Sequence, residues 1–347
     1  MRYPKPLTTN STIAVTAISS GVDQSLHPRL DKILSDLRNS GFNVIEGKCL
    51  RENTGYVSAD AKTRTAEFMD FLTAPEVDAV IPPYGGELAT ECLPLLDYEK
   101  LRQLPPKWIV GYSDISTITC AITVSCDYAT VHGPCLMEML ANQNDPLTSG
   151  TLQRLFTEEM GSFSQKSSPV YQDYFQNWQE NPLTGFDLRR PTQWRSLNKQ
   201  QDQQAPETMR GRLFGGCLDT LVNLFANPYL DFEQFKQRYQ LDGVLLYLEN
   251  VEQSPIGLKR ALLSMQYRGV FDNLNGILLG RSTGPEDAQG QLDYYQVIEE
   301  FFAERDYPVF YDVDISHYPP NMTIVNGALA SVQLQAGKGV IKQTLVP

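Results

Sequence analysis

Residues 108–124 read Trp-Ile-Val-Gly-Tyr-Ser-Asp-Ile-Ser-Thr-Ile-Thr-Cys-Ala-Ile-Thr-Val. Trp108 to Val110 form a strand-sized apolar run, Gly111 to Asp114 interrupt it, and Ile115 to Val124 continue with apolar residues at helical spacing. A strand that turns directly into a helix is the unit of an α/β fold, and the same unit recurs on either side. Ser11 to Ile18 form a β-branched run ending in Ser19-Ser20-Gly21, and Leu30, Ile33, Leu34 and Leu37 follow at helical spacing until Ser40-Gly41. Phe42 to Ile45 and Val77 to Ile81 are predicted strands, Thr65 to Leu72 and Leu88 to Leu96 predicted helices. Strands that alternate with helices imply a mostly parallel sheet covered on both faces.

The character of the chain changes between residues 162 and 208, a stretch rich in Gln, Ser, Pro and Asn but punctuated by Tyr171, Tyr174, Phe175, Trp178, Phe186 and Trp194. This gives three expected segments: an N-terminal α/β domain over 1–161, an aromatic-rich connecting loop over 162–208, and a smaller C-terminal α/β domain over 209–347. In the last, Leu218 to Phe225 and Leu258 to Tyr267 read as helices, and Val244 to Leu248, Gly276 to Leu279 and Val309 to Val313 as strands.

A formal charge of −12, with no basic run longer than Arg189-Arg190, argues against nucleic acid and anionic lipid as partners. No apolar stretch is long enough for a membrane span, and the six cysteines include no C-x-x-C pair, so they read as reduced thiols in a cytoplasmic protein. Neither G-x-G-x-x-G after the first strand, nor G-x-x-x-x-G-K-S/T, nor H-E-x-x-H occurs, which disfavours a dehydrogenase, an NTPase and a zincin. The three histidines lie outside ligand spacing of one another, so no metal and no cofactor are expected.

What remains is Ser113. At the junction of strand and helix its hydroxyl would be exposed, and the unpaired N–H groups of the helix start could stabilise an adjacent oxyanion. The alternative is a serine that only caps the helix. Tyr84-Gly85-Gly86-Glu87 follows another strand and would reach the same carboxyl edge, where ligands of open α/β sheets collect and glycine lets backbone approach a substrate. A tight turn needing positive φ explains the glycines equally well. Serine attack needs an imidazole and a carboxylate behind it. His317, in the loop after the strand ending at Val313, is the best base, with an ordinary loop histidine as the alternative. Glu249, at the end of the strand Val244 to Leu248, is the candidate acid, or else an exposed strand-end glutamate. His27, before Pro28 at a predicted helix start, and His132, in the Val131-His132-Gly133-Pro134 turn, are the other two imidazoles, and a purely structural role would explain either.

Taken together, these segments resemble the serine peptidase family of LD-carboxypeptidases, and within it the microcin C immunity branch. The landmarks are Tyr84-Gly85-Gly86, Leu93-Pro94-Leu95-Leu96-Asp97-Tyr98, Pro106 to Asp114, Gly133-Pro134, Gly215-Gly216, Leu246-Tyr247-Leu248-Glu249, Asp314-Ile315-Ser316-His317 and Thr323 to Gly327, and they span nearly the whole chain. The resemblance implies Ser113 as nucleophile, His317 as base, Glu249 as its carboxylate, and the N–H groups of Gly86 and Asp114 as the oxyanion hole. It also implies a cytoplasmic homodimer, and an Asn177-Trp178 pair that stacks on the base of an aminoacyl nucleotide. Where the branch has an asparagine after Gly-Gly this chain has Cys217, and where it has a lysine four residues past the glutamate this chain has Gln253, so two substrate-holding groups differ.

The expected activity is a serine-type carboxypeptidase that cuts an amide bond near the substrate's carboxyl end through an acyl-enzyme, with Tyr84, Gly85, Trp178 and Cys217 contacting substrate. The substrate is either an aminoacyl nucleotide or a murein tetrapeptide. The competing expectation is a non-catalytic two-domain protein that captures a small peptide.

Overall fold

The computed structural model describes residues 1–140, 145–197 and 205–347. The first sheet runs in the order Asn43–Glu46, Thr12–Val15, Ala79–Val80, Trp108–Ile109, with every pairing parallel. The helices His27–Asn39, Ala61–Thr73 and Ile115–Cys126 supply the connections and the cover, as the alternating pattern requires. The α/β architecture expected for the N-terminal part is therefore present. Ile115–Cys126 is buried on all sides except at Ser125, which explains why its sequence is apolar all round.

Two expected helices differ. Residues 88–96 form a 3-10 helix, Ala89–Leu95, because Pro94 lies inside it and cannot donate the i−4 hydrogen bond. The helix expected to reach Phe225 is α-helical only over Leu218–Leu221, and the chain then turns, with Ala226 in the left-handed region.

The second sheet has eight strands. Glu207–Cys217, Val244–Glu249, Gly276–Gly280 and Val309–Val313 lie parallel at its centre. Leu329–Gln335, Lys338–Thr344 and Ser162–Lys166 extend it antiparallel on one side, and Arg195–Ser196 closes the other. Both ends of the aromatic-rich stretch are thus woven into this sheet, while its middle forms the ribbon Val170–Tyr171 with Arg190–Pro191. Residues 198–204 of that stretch lie outside the described residues.

The halves meet along the helix that follows Ser113. Ser116 Oγ accepts the Cys217 N–H at 3.0 Å, and Cys120 Sγ donates to the Gly215 carbonyl at 3.1 Å. Gly216 allows this approach, since a Cβ there would lie 2.6 Å from both Cβ and Oγ of Ser116. Val131–His132 also pairs antiparallel with Ile324–Val325, a second tie between the halves. One continuous apolar core includes residues of both, so their relative placement is set by packing as well as by hydrogen bonds. No helix among the described residues is long and apolar enough to cross a membrane, and all six cysteines are buried and unbridged.

Candidate active site

Ser113 stands between Trp108–Ile109 and Ile115–Cys126 with φ 60°. That left-handed backbone costs a residue bearing a Cβ about 1–2 kcal/mol, strain of the kind concentrated at functional turns. The helix cap is Asp114, not Ser113, which corrects the capping alternative. Asp114 does not cap with its side chain either. Its buried carboxylate accepts the Ser19 hydroxyl at 2.5 Å and the Ala89 N–H at 2.7 Å, tying the turn after the first strand and the turn after Gly85-Gly86 to the start of the helix.

Gly85 lies directly against Ser113: a Cβ on Gly85 would sit 2.5 Å from Ser113 Cβ and 2.6 Å from its Oγ. Its carbonyl accepts the Ser20 N–H at 3.1 Å, and Gly86 follows at φ 140°, a conformation that favours glycine. Among the described residues, the N–H groups of Gly86 and Asp114 donate to no protein acceptor, and both residues border a cavity shared with Ser113. Gly85→Ala is expected to displace the Ser113 hydroxyl and lower kcat/KM about 100-fold with the fold retained, a result that steady-state kinetics and a thermal melt would check together.

His317 hangs from the loop after Val309–Val313. Arg281 braces that loop: its guanidinium pairs with the buried Asp314 at 2.7 Å and donates to the carbonyls of Tyr318 and Pro320. Asp314 also accepts Trp194 Nε1–H at 2.8 Å, and the Ser316 N–H donates to Asn321 Oδ1 at 2.6 Å. His317 Nδ1 lies 3.0 Å from Glu249 Oε2. Glu249 is not an exposed strand-end acid, being only 1% exposed. Burial pushes its carboxyl pKa up, but His317, His132 and Arg281 outweigh that and hold it below the usual value. For His317, burial pulls the pKa down, yet the charge and hydrogen bond of Glu249 carry it above the ordinary histidine value.

The Tyr112 ring, covalently next to Ser113, packs against the His317 ring with centroids 4.6 Å apart. Ser113 and His317 line one cavity of about 280 Å³, together with Tyr84, Gly85, Gly86, Glu138 and Trp178. Ser113, His317 and Glu249 are therefore brought to one place, with Gly86 and Asp114 at the same corner. Trp178 lines this cavity too, half-buried, with the Arg29 guanidinium 3.7 Å from its ring centroid. Arg29 is buried and donates to the carbonyls of Met137, Pro182 and Thr184, so it fastens the aromatic loop to the first helix. A cation–π contact of this kind contributes about 1–2 kcal/mol.

Cys217 faces a neighbouring cavity of about 220 Å³ that also reaches Ser113 and Gly86. Its thiol points toward Asp219 and is held well above its ordinary pKa by burial. Gln253 lines neither cavity of the serine: its amide donates to Asp219 Oδ1 at 3.1 Å, and the residue borders a cavity of about 630 Å³ that contains neither Ser113 nor His317. This larger cavity is thus separate from the one that Ser113 and His317 share.

Sequence reasoning missed Arg29, Tyr112 and Glu138. Glu138 is buried, accepts the Tyr112 hydroxyl at 3.0 Å, and has its pKa pushed up to about 7 by burial. Nothing in the local sequence marks these residues, since each acts through a partner distant along the chain.

The fold is α/β, with a serine at the carboxyl edge of a parallel sheet that shares a cavity with the histidine of a His–Glu pair, and this chain belongs to the LD-carboxypeptidase family of serine peptidases. The family's N-terminal domain matches residues 13–133 and its C-terminal domain residues 210–332. The chain is 25% identical to the Microcin C7 self-immunity protein MccF of Escherichia coli, over 94% of this chain and 92% of that protein. It is also 25% identical to the Bacillus subtilis protein named Probable murein peptide carboxypeptidase, over 98% and 94%. Among solved structures, MccF in complex with glutamyl sulfamoyl guanosine superposes with a TM-score of 0.82 at 22% identity, covering 99% of both chains. Muramoyltetrapeptide carboxypeptidase from Oxalobacter formigenes superposes with a TM-score of 0.73 at 20% identity, covering 97% of this chain and all of that one.

Proposed function

We propose that the protein hydrolyses an amide bond near the carboxyl end of its substrate with Ser113 as nucleophile. Ser113 Oγ attacks the carbonyl carbon while His317 Nε2 takes its proton, and Glu249 accepts the Nδ1–H of the resulting imidazolium. The oxyanion is met by the N–H groups of Gly86 and Asp114. Collapse expels the amine, which takes the proton back from His317, and water then cleaves the acyl ester by the same base. The observation that carries this reading is the buried carboxylate 3.0 Å from an imidazole that shares a cavity with a serine held at φ 60°.

The substrate favoured is an aminoacyl nucleotide. The support is the aromatic wall of the cavity, with Trp178, Phe175 and Phe186 lining the space that opens from Ser113. MccF binds glutamyl sulfamoyl guanosine and aspartyl sulfamoyl adenosine. A base stacked on Trp178 is stabilised by about 1–3 kcal/mol. Trp178→Ala is therefore expected to lower kcat/KM about 5- to 150-fold for an aminoacyl sulfamoyl adenosine while sparing a murein tetrapeptide. Parallel assays of both substrates with both proteins test this. Unchanged nucleotide cleavage by the variant rejects the stacking role, and cleavage of the tetrapeptide alone assigns the protein to the murein substrate. By the same family resemblance the protein acts as a cytoplasmic homodimer, which sedimentation at equilibrium checks.

A further inference from the structure

Glu249 has two oxygens in an almost completely buried position, and the triad accounts for one of them. Oε2 faces His317; Oε1 has no hydrogen-bond partner, and His132 Nε2 lies 3.6 Å from it. His132 is itself only 1% exposed and is likewise unpaired at both ring nitrogens. Buried imidazoles and carboxylates are seldom left without partners, because each unpaired group carries its full desolvation cost. These two orphaned groups face each other.

We infer that His132 is a positioning residue for the proposed hydrolysis: its Nε2–H holds the second oxygen of Glu249, so the carboxylate cannot rotate away from His317. The surroundings suit this role. The rings of Tyr112 and Tyr247 pack edge-on against His132 at centroid distances of 5.9 and 5.2 Å, and its backbone is pinned in the bridge to Ile324. The ring therefore has little freedom to turn elsewhere. Burial pulls its pKa down to about 4, with Glu249 opposing and His317 reinforcing the shift. A neutral imidazole offers a dipole without competing with His317 as a second cation. His132 also comes from the same half of the chain as Ser113, whereas Glu249 and His317 come from the other, so this contact registers the acid and base against the nucleophile's side of the cleft.

The inference rests on the hydrolase reading, and its test separates the two. Removing the donor leaves Oε1 bare, which raises the proton affinity of the Glu249–His317 pair. The charges acting on His317 are those of Glu249, Glu138 and Asp219, with the Tyr112 ring against it, and Arg281 acts on Glu249. All of these remain in the variants. His132→Leu is expected to move the acid limb of kcat/KM about half to one pH unit higher and to lower kcat about tenfold at unchanged KM. His132→Gln, which keeps an N–H near the position of Nε2, is expected to restore the limb and most of kcat. Equal profiles for the two variants overturn the proposal. If His132→Leu does not fold, nitrogen-15 spectra of the wild-type histidines decide. His132 held as the neutral Nε2–H tautomer through the pH range in which His317 titrates supports the role, and the Nδ1–H tautomer or a His132 that titrates in that same range overturns it. A wild type that cleaves neither substrate defeats the hydrolase reading, and the spectra still judge the contact.

Discussion

Ser113→Ala is expected to lower kcat by about four orders of magnitude or more, with the folded structure retained. The hydroxyl makes no hydrogen bond that stabilises the fold among the described residues, so its removal leaves no buried group unpaired. The strained backbone at φ 60° is shared by serine and alanine, so the change in strain energy between them is small. Any activity that survives would come from substrate binding and the N–H groups of Gly86 and Asp114, which the substitution leaves in place. A thermal melt matching wild type alongside the collapsed rate distinguishes a lost nucleophile from a lost fold. A variant that still turns over within tenfold of wild type would mean that Ser113 is a turn residue.

Glu249→Gln is the second large effect. The amide matches the carboxylate in size but carries no charge, so the imidazolium formed during attack loses its counter-ion and kcat falls about 10³- to 10⁴-fold. The pH profile adds a sign. In the wild type burial lowers the pKa of His317 and Glu249 more than compensates, leaving it above the ordinary 6.5. A base at His317 would be neutral only above that raised pKa, so the wild-type acid limb is expected above 6.5, with activity lost as pH falls through it. With the charge removed the burial effect dominates, and the acid limb of the residual activity moves to lower pH. This is opposite in direction to the shift expected of His132→Leu, so one titration separates loss of the acid from loss of the group that holds it. An acid limb that stays in place in Glu249→Gln would show that Glu249 does not set the basicity of His317.

Much of this was legible in the sequence because it is local. The alternation of β-branched runs with helical spacing in the first 126 residues yields the parallel sheet of Thr12–Val15, Asn43–Glu46, Ala79–Val80 and Trp108–Ile109. Gly111 to Asp114 likewise announce a turn at its carboxyl edge. The central strand Glu207–Cys217 was not legible because its first half is polar and its second contains Gly215-Gly216, whose lack of side chains serves close packing against Tyr247 and Ser116. The burial of Glu249 was not legible either, since a glutamate ending an apolar run looks the same whether solvent or a second lobe covers it. His132 is the clearest case. A histidine in a Val-His-Gly-Pro turn shows nothing of its neighbours, and its approach to Glu249 exists only because Val131–His132 pairs with Ile324–Val325. Motif and periodicity locate the proposed triad of Ser113, His317 and Glu249, whereas the contacts of His132 are found only through tertiary packing.

The central claim is that a hydroxyl from one lobe is activated by an imidazole from the other. Labelling with a fluorophosphonate probe, read by intact-mass and peptide-mapping spectrometry on wild type and His317→Ala, tests it most directly. One adduct per chain, located on Ser113 in the wild type and absent from folded His317→Ala, is the expected result. No adduct on the folded wild type, an adduct on another residue, or labelling that survives the loss of His317 would contradict it.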